Sequence, residues 1–216
     1  FKESAKREQE QLLQQGTFSV HFESDAPEDA LWLTSNVCHK SKTNPNGDVS
    51  KLKSRWNLGG HHERVGVHAH AEHCTAPTPS MTTIRIQYAD AAAHGDEAET
   101  GDITAAYLKS PKSPIPGDRT IWFTAPRGQE EYKTNPRTGR RERLVYRLIK
   151  NMYGSITGAH AWYTAHSERI MNEMNMRPNE ADPCCYHTKS KDPNERLTVV
   201  TYVDDYSITG TPHALE

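Results

Sequence analysis

The stretch VVTYVDDYSITG, residues 199–210, limits the fold more than any other. Val199, Val200, Thr201, Tyr202 and Val203 are β-branched or aromatic, and so are Tyr206, Ile208 and Thr209. Two such runs this close together predict a β-hairpin with Asp204 and Asp205 at its turn. The turn residues are a poor choice. Neighbouring carboxylates repel, and Asp enters the left-handed turn conformation less readily than Gly. Local sequence and fold disagree most often where function is carried. A bound cation would turn the repulsion into attraction.

The rest of the chain places this hairpin in a mixed fold. Residues 3–15 are polar and helix-prone and end at Gly16. The Asn-Gly pair in residues 44–48 predicts a tight turn joining a strand near 36–42 to one near 49–57. Residues 61–80 are rich in His and Pro and read as loop. A helix is expected over 81–94, capped by Ser80 and ended by Gly95, with Ile84, Tyr88 and Ala91 or Ala92 on one apolar face. Asp102 is expected where a strand begins. Residues 109–118 form a Pro-rich loop, and 119–126 and 143–154 read as strands around a basic, turn-like segment. A second helix is expected over 156–176, with Ile156, Ala159, Trp162 or Tyr163, Ile170 and Met174 near helical spacing and Pro178 as its stop. There is no internal repeat. This order predicts an α+β fold, an antiparallel sheet packed on helices with the hairpin near the C-terminus.

The chain has 216 residues, of which 34% are hydrophobic. Its mean hydropathy of −0.85 is low for a core of this size. The expectation is a piece of a longer, intracellular protein. No run is long and apolar enough for a membrane span, and the N-terminus lacks the apolar stretch of a signal peptide. Cys38, Cys74, Cys184 and Cys185 show no Cys-x-x-Cys spacing, so neither a disulfide framework nor a common metal module is predicted. The net charge of −2 argues against a general nucleic-acid binder. Positive charge is local, however, in Lys51, Lys53 and Arg55 and in Arg137, Arg140, Arg141, Arg143, Arg147 and Lys150. The simpler reading of each run is a solvated face.

Paired carboxylates suit a hard divalent cation, which takes oxygen ligands. Phosphoryl transfer with two metal ions needs a further carboxylate to bridge them. Asp102 is the best placed, because Asp90, Asp96, Asp118, Asp182 and Asp192 lie in helical or loop contexts.

YVDD at 202–205 resembles the hallmark motif of reverse transcriptases, and the ordered motifs around it resemble the copia-type (Pseudoviridae) retrotransposon branch. NPNGDVSKLKSR (44–55) is similar to that family's fingers hairpin, and APTPSMTTIR (76–85) to its fAPVvkmtTIR segment. GDITAAYLKS (101–110) resembles DVKTAFLNG, and IWFTAPRGQEE (121–131) resembles IYMeqPpGF. LIKNMYGSITGAHAWY (148–163) resembles LkKSLYGLKQapRaWY, and EADPCCY (180–186) resembles kaDpClY. The likeness runs from about residue 32 to 212.

The resemblance implies a right-hand polymerase. Residues 31–216 would be its fingers and palm, residues 1–30 an N-terminal extension, and the thumb absent. It implies RNA- and DNA-templated DNA synthesis with Mg²⁺, for which Mn²⁺ substitutes. The partners implied are a primed RNA or DNA template, deoxynucleoside triphosphates, and further Pol segments such as thumb, RNase H and integrase. Asp102, Asp204 and Asp205 would hold the metals, with the carbonyl of Ile103. Lys53 and Arg55 would grip the triphosphate, and Tyr107 would exclude the ribose 2′-hydroxyl. Tyr153 and Gly154 would shape the nucleotide pocket, and Tyr202 would meet primer or template. The setting implied is a cytoplasmic particle or the nucleus, without a membrane.

The chain also departs from that pattern. WNLGGHH follows Arg55 where the family has Leu-Val-Ala-Lys-Gly, SITGAHAW lacks the family's Lys and Arg, and Tyr206 stands at a usually apolar position. An inactive relic is one alternative. Another is a binding module stabilised by zinc on His68, His70, His73 and Cys74, near His61 and His62.

Overall fold

The computed structural model describes residues 1–215. Its helices are α1 (Lys2–Gln14), α2 (Met81–His94), α3 (Gly158–Glu173) and α4 (Pro212–Leu215). Its strands are β1 (Phe18–Phe22), β2 (Leu31–Leu33), β3 (Ser35–Thr43), β4 (Val49–Leu58), β5 (Glu97–Asp102), β6 (Ile121–Thr124), β7 (Tyr132–Thr134), β8 (Arg141–Leu148), β9 (Met176–Pro178), β10 (Cys185–Thr188), β11 (Leu197–Tyr202) and β12 (Asp205–Gly210). The fold is therefore mixed α+β. Among the described residues no helix is long and apolar enough to cross a membrane.

The chain divides into two compact units. One comprises Phe1–Cys74 and Tyr107–Ala161, the other Thr75–Ala106 and Trp162–Glu216. In the first, β1, β8, β6 and β2 form a sheet with β7 attached to β8, and β3 and β4 form a separate hairpin. All pairs are antiparallel except β2 with β6. The core is aromatic. Phe18, Trp56, Phe123 and Tyr146 pack ring on ring at centroid separations of 5.0–5.9 Å. Burial pushes the Tyr146 phenol up to about 12, aided by the Glu131 charge. Gln9 satisfies that hydroxyl from α1. Residues 1–30 are woven into this unit, since β1 pairs with β8 over five residues and α1 packs on β4.

The β3–β4 hairpin closes where the Asn-Gly signal places it. Asn44 binds Asp48 through both its backbone and its side chain. The segment 127–142 is not all turn, because Tyr132–Thr134 pairs with β8.

In the second unit β5, β12, β11, β10 and β9 form an antiparallel sheet. Side chains alternate across it, so Val199 and Ile208 share one face while Thr198 and Ser207 share the other. Val199 and Ile208 pack with Ile170 and Met171 of α3, Met176 and Tyr186. Helix α2 meets the opposite face through Gln87, whose amide donates to the carbonyls of Thr198 and Ser207 and accepts from the Ser207 hydroxyl. The expected apolar face of α2 is thus corrected: Gln87 and Ala91 are buried, while Tyr88 is exposed.

Both ends of α2 are as expected. Ser80 accepts the Thr83 amide, and Gly95 is left-handed. Helix α3 ends at Glu173, earlier than expected, because Asn175 turns left-handed (φ +51°) and Met176 starts β9.

Candidate functional site

The hairpin that opened the sequence reading is real, but its turn lies one residue earlier. Tyr202 pairs with Asp205, so the two loop residues are Val203 and Asp204, and Asp205 belongs to β12. Val203 adopts φ +58°, while Asp204 stays at negative φ. Positive φ at the first loop position alone is the pattern of a type II′ turn, which normally carries Gly there. A β-branched residue in this region is strained by roughly 1–3 kcal/mol.

Three hydrogen-bonding features hold the strained turn against its unit. The Ile103 amide donates to the Asp204 carbonyl at 2.6 Å. The Trp162 indole donates to the Val203 carbonyl, also at 2.6 Å. Strand β5 pairs with β12 in a register that sets Asp102 directly opposite Asp205. β5 ends at Asp102, where the sequence suggested a strand beginning. Asp102, Asp205 and Tyr202 therefore share a face. Together with Ile84, Tyr88 and Val200 they line a groove of about 470 Å³.

Gly101 lies opposite Tyr206 on the other face. A Cβ at Gly101 would come within 2.3 Å of the Tyr206 hydroxyl oxygen, so the Tyr ring occupies the space a side chain would take. The departure from an apolar residue at 206 is matched by the missing side chain at 101.

Lys53, Arg55, Tyr107, Tyr153 and Gly154 fall in the first unit. The β3–β4 register sets Lys40 opposite Lys53 and Lys42 opposite Lys51, a basic ladder that repels itself. Partial burial lowers the Lys53 ammonium, and the cations of Arg55 and Lys42 lower it further. The Arg55 guanidinium lies 5.3 Å from the centre of the Tyr153 ring, and that ring meets Tyr107 edge-on at 6.2 Å.

Trp56–Leu58 of the segment WNLGGHH remain in β4, and Gly60 just beyond it meets Gly154 closely. A Cβ at Gly60 would fall 1.8 Å from the Gly154 carbonyl oxygen, and one at Gly154 would fall 2.3 Å from that of Leu58. The Leu58 amide binds the Tyr153 carbonyl at 2.7 Å. The Gly60–Gly154 contact is thus a close backbone approach that only glycine permits.

The zinc expectation is not met. Among the described residues no three His, Cys, Asp or Glu side chains are grouped to hold a metal ion. Cys74 donates to the His70 carbonyl, and burial with the Glu63 and Glu72 charges pushes its thiol up. His70 and His73 instead meet edge-on, and His73 stands beside His160. The same absence covers the acidic hairpin. Its backbone brings Asp102, Asp204 and Asp205 together, but their carboxylates do not converge on one point.

Sequence reasoning missed Asp182 and Trp162. Asp182 accepts from the Ser80 amide, the Thr83 hydroxyl and the Cys184 amide, fastening the start of α2. Trp162 read as helix core, and nothing local indicates a bond to a turn far along the chain.

A family model described as reverse transcriptase (RNA-dependent DNA polymerase) matches residues 19–215. No curated protein matches the chain.

Proposed function

Because the chain belongs to the reverse transcriptase (RNA-dependent DNA polymerase) family, we propose that it is the fingers and palm of a copia-type retrotransposon polymerase. In this reading it adds deoxynucleotides to a primer 3′-hydroxyl. The observation that carries the reading is the register of Asp102 against Asp205, with Asp204 in the adjoining strained turn. Two carboxylates forced opposite each other destabilise a sheet unless a cation lies between them.

The donor set is oxygen only, which fits Mg²⁺ or Mn²⁺ and not a thiophilic metal. Asp102, Asp204 and Asp205 would hold the ions with the Ile103 carbonyl, closing by side-chain rotation on a backbone already in place. When bound, such ions activate the primer hydroxyl and neutralise charge on the triphosphate.

The chain's own residues supply the rest. Lys53 and Arg55, on a strand already crowded with cations, are relieved by binding the triphosphate. Tyr107 would act as the sugar gate, Tyr153 and Gly154 would shape the nucleotide pocket, and Tyr202 would contact primer or template. Thumb, RNase H and integrase segments of a Pol polyprotein complete the machine, in a cytoplasmic particle or the nucleus.

Primer extension by the full chain on an RNA template, with Mg²⁺ or Mn²⁺ and the four deoxynucleoside triphosphates, tests the reading. Extension is expected from the wild type and abolished in Asp204→Asn with Asp205→Asn. No extension by the wild type, and none by the chain joined to a thumb segment, would assign it instead to an inactive relic of such an element.

A further inference from the structure

We infer that Trp162 is a positioning residue for Asp204, acting through the peptide that joins Val203 to Asp204. The inference deepens the reading of the hairpin as a metal-binding site and rests on it for its consequence. It does not rest on it for its geometry.

A two-residue hairpin loop with positive φ at its first position has two competing forms. In type II′ the second residue has negative φ, and in type I′ it has positive φ. The two differ by a flip of the central peptide. In this hairpin that peptide carries the Val203 carbonyl and the Asp204 amide. Type I′ is well suited to the right-handed twist of the flanking strands, and Asp tolerates positive φ better than most residues. Nothing in the local sequence, which lacks a Gly at either position, selects type II′.

The Trp162 indole supplies the selection. Its N–H holds the Val203 carbonyl at 2.6 Å, so a flipped peptide would lose its acceptor. The indole itself has little freedom. It is 4% exposed, and His166 stacks on it one helical turn later, at 4.8 Å and 12° between planes. Burial, with the Arg169 cation nearby, lowers the His166 imidazole. A flip would change φ at Asp204 and re-aim its carboxylate, while Asp205, fixed in the strand ladder, would stay. Trp162 therefore sets the direction of one carboxylate of the three without touching metal or substrate.

The test replaces Trp162 alone by 3-benzothienylalanine, which keeps the ring shape and puts sulfur in place of N–H. Trp162→Phe is a second variant. Two readouts are taken on the full chain. The first is the three-bond amide–α coupling and amide shift of Asp204 by NMR, without metal. The second is Mn²⁺ affinity by titration calorimetry.

The benzothienyl variant should stay folded with a melting temperature lower by at most a few degrees, move the Asp204 resonance towards positive φ, and bind Mn²⁺ about 3- to 10-fold more weakly, the factor by which losing one hydrogen bond shifts the turn towards its flipped form. Phe should change the Asp204 resonance and Mn²⁺ affinity in the same way, with a further loss of melting temperature from the cavity its smaller ring leaves. An Asp204 resonance identical to wild type in the benzothienyl variant overturns the inference. A shifted resonance with unchanged Mn²⁺ affinity overturns it also, since Trp162 would then position nothing the metal needs. A wild type that binds no Mn²⁺ sinks the metal-site reading, while the coupling measurement still decides whether Trp162 holds the turn.

Discussion

Asp102 and Asp205 are cross-strand partners, set opposite each other by the antiparallel register of β5 and β12. Such like-charge pairs cost about 0.2–1 kcal/mol without a cation. Asp205→Asn should therefore raise the metal-free stability of the chain by about that amount. Wild-type melting temperature should rise on adding Mn²⁺, by mass action, and the variant's should rise much less. Thermal melts with and without Mn²⁺ check both halves. A variant less stable than wild type in the absence of metal would show that the pair is not in repulsion.

Gly101 and Tyr206 should be energetically coupled. The Tyr206 ring lies where a side chain at position 101 would go. Gly101→Leu should destabilise the chain by about 1–3 kcal/mol through overpacking. The same change with Tyr206→Leu, which restores the family's apolar residue, should cost less. A double-mutant cycle from urea melts should give a coupling of at least about 0.5 kcal/mol. Simple additivity would mean that the ring moves aside freely.

The second unit should weaken in acid. At Asp182, burial alone would raise the carboxyl, but the Thr83 hydroxyl and the Ser80 and Cys184 amides outweigh it and bring it below its usual value. At Asp96, the bidentate bonds from Arg196 lower it against burial. Both groups are depressed, so each stabilises the fold at pH above the unfolded value of about 4. That stability is lost as pH falls through their folded values. Urea midpoints should be flat near neutrality and drop below about pH 4. Asp182→Asn should lie lower at pH 7 and lose less in acid, and a parallel pair of curves would count against the assignment.

Features whose signal is local were legible in the sequence. The Asn44–Asp48 turn and the Ser80 and Gly95 ends of α2 depend on residues within one turn of each other. Features set by distant partners were not. The β5 sequence, Glu-Ala-Glu-Thr-Gly-Asp, has little strand preference and becomes a strand by pairing with β12. The buried face of α2 is chosen by carbonyls on β11 and β12 that the Gln87 amide reaches. The hairpin turn fell one residue early because β-branched pattern marks Val203 as strand, while its positive φ is held by Ile103 and Trp162. The register sets Asp102 opposite Asp205, but a convergence of the three carboxylates depends on side-chain rotamers that their spacing does not specify.

Tyr107 gives the sharpest functional test, and its surroundings shape what is expected. As a sugar gate its ring would exclude a ribose 2′-hydroxyl by clash, which discriminates without any attractive contact. It is also half-buried, meets Tyr153 edge-on, and lies near Gly158. Edge-on aromatic pairs contribute about 0.5–1.5 kcal/mol, so Tyr107→Val should lower stability by at least that and loosen Tyr153 as well. Tyr107→Phe keeps the ring and should leave both stability and sugar preference nearly unchanged. The measurement is single-nucleotide primer extension with ribo- and deoxynucleotides, read as a ratio of kcat/KM values. For Val the ratio should move towards ribonucleotides, even if both rates fall through the loss of Tyr153 packing. A Val variant that loses both sugars equally would place Tyr107 in the packing of the first unit and leave the gate unassigned.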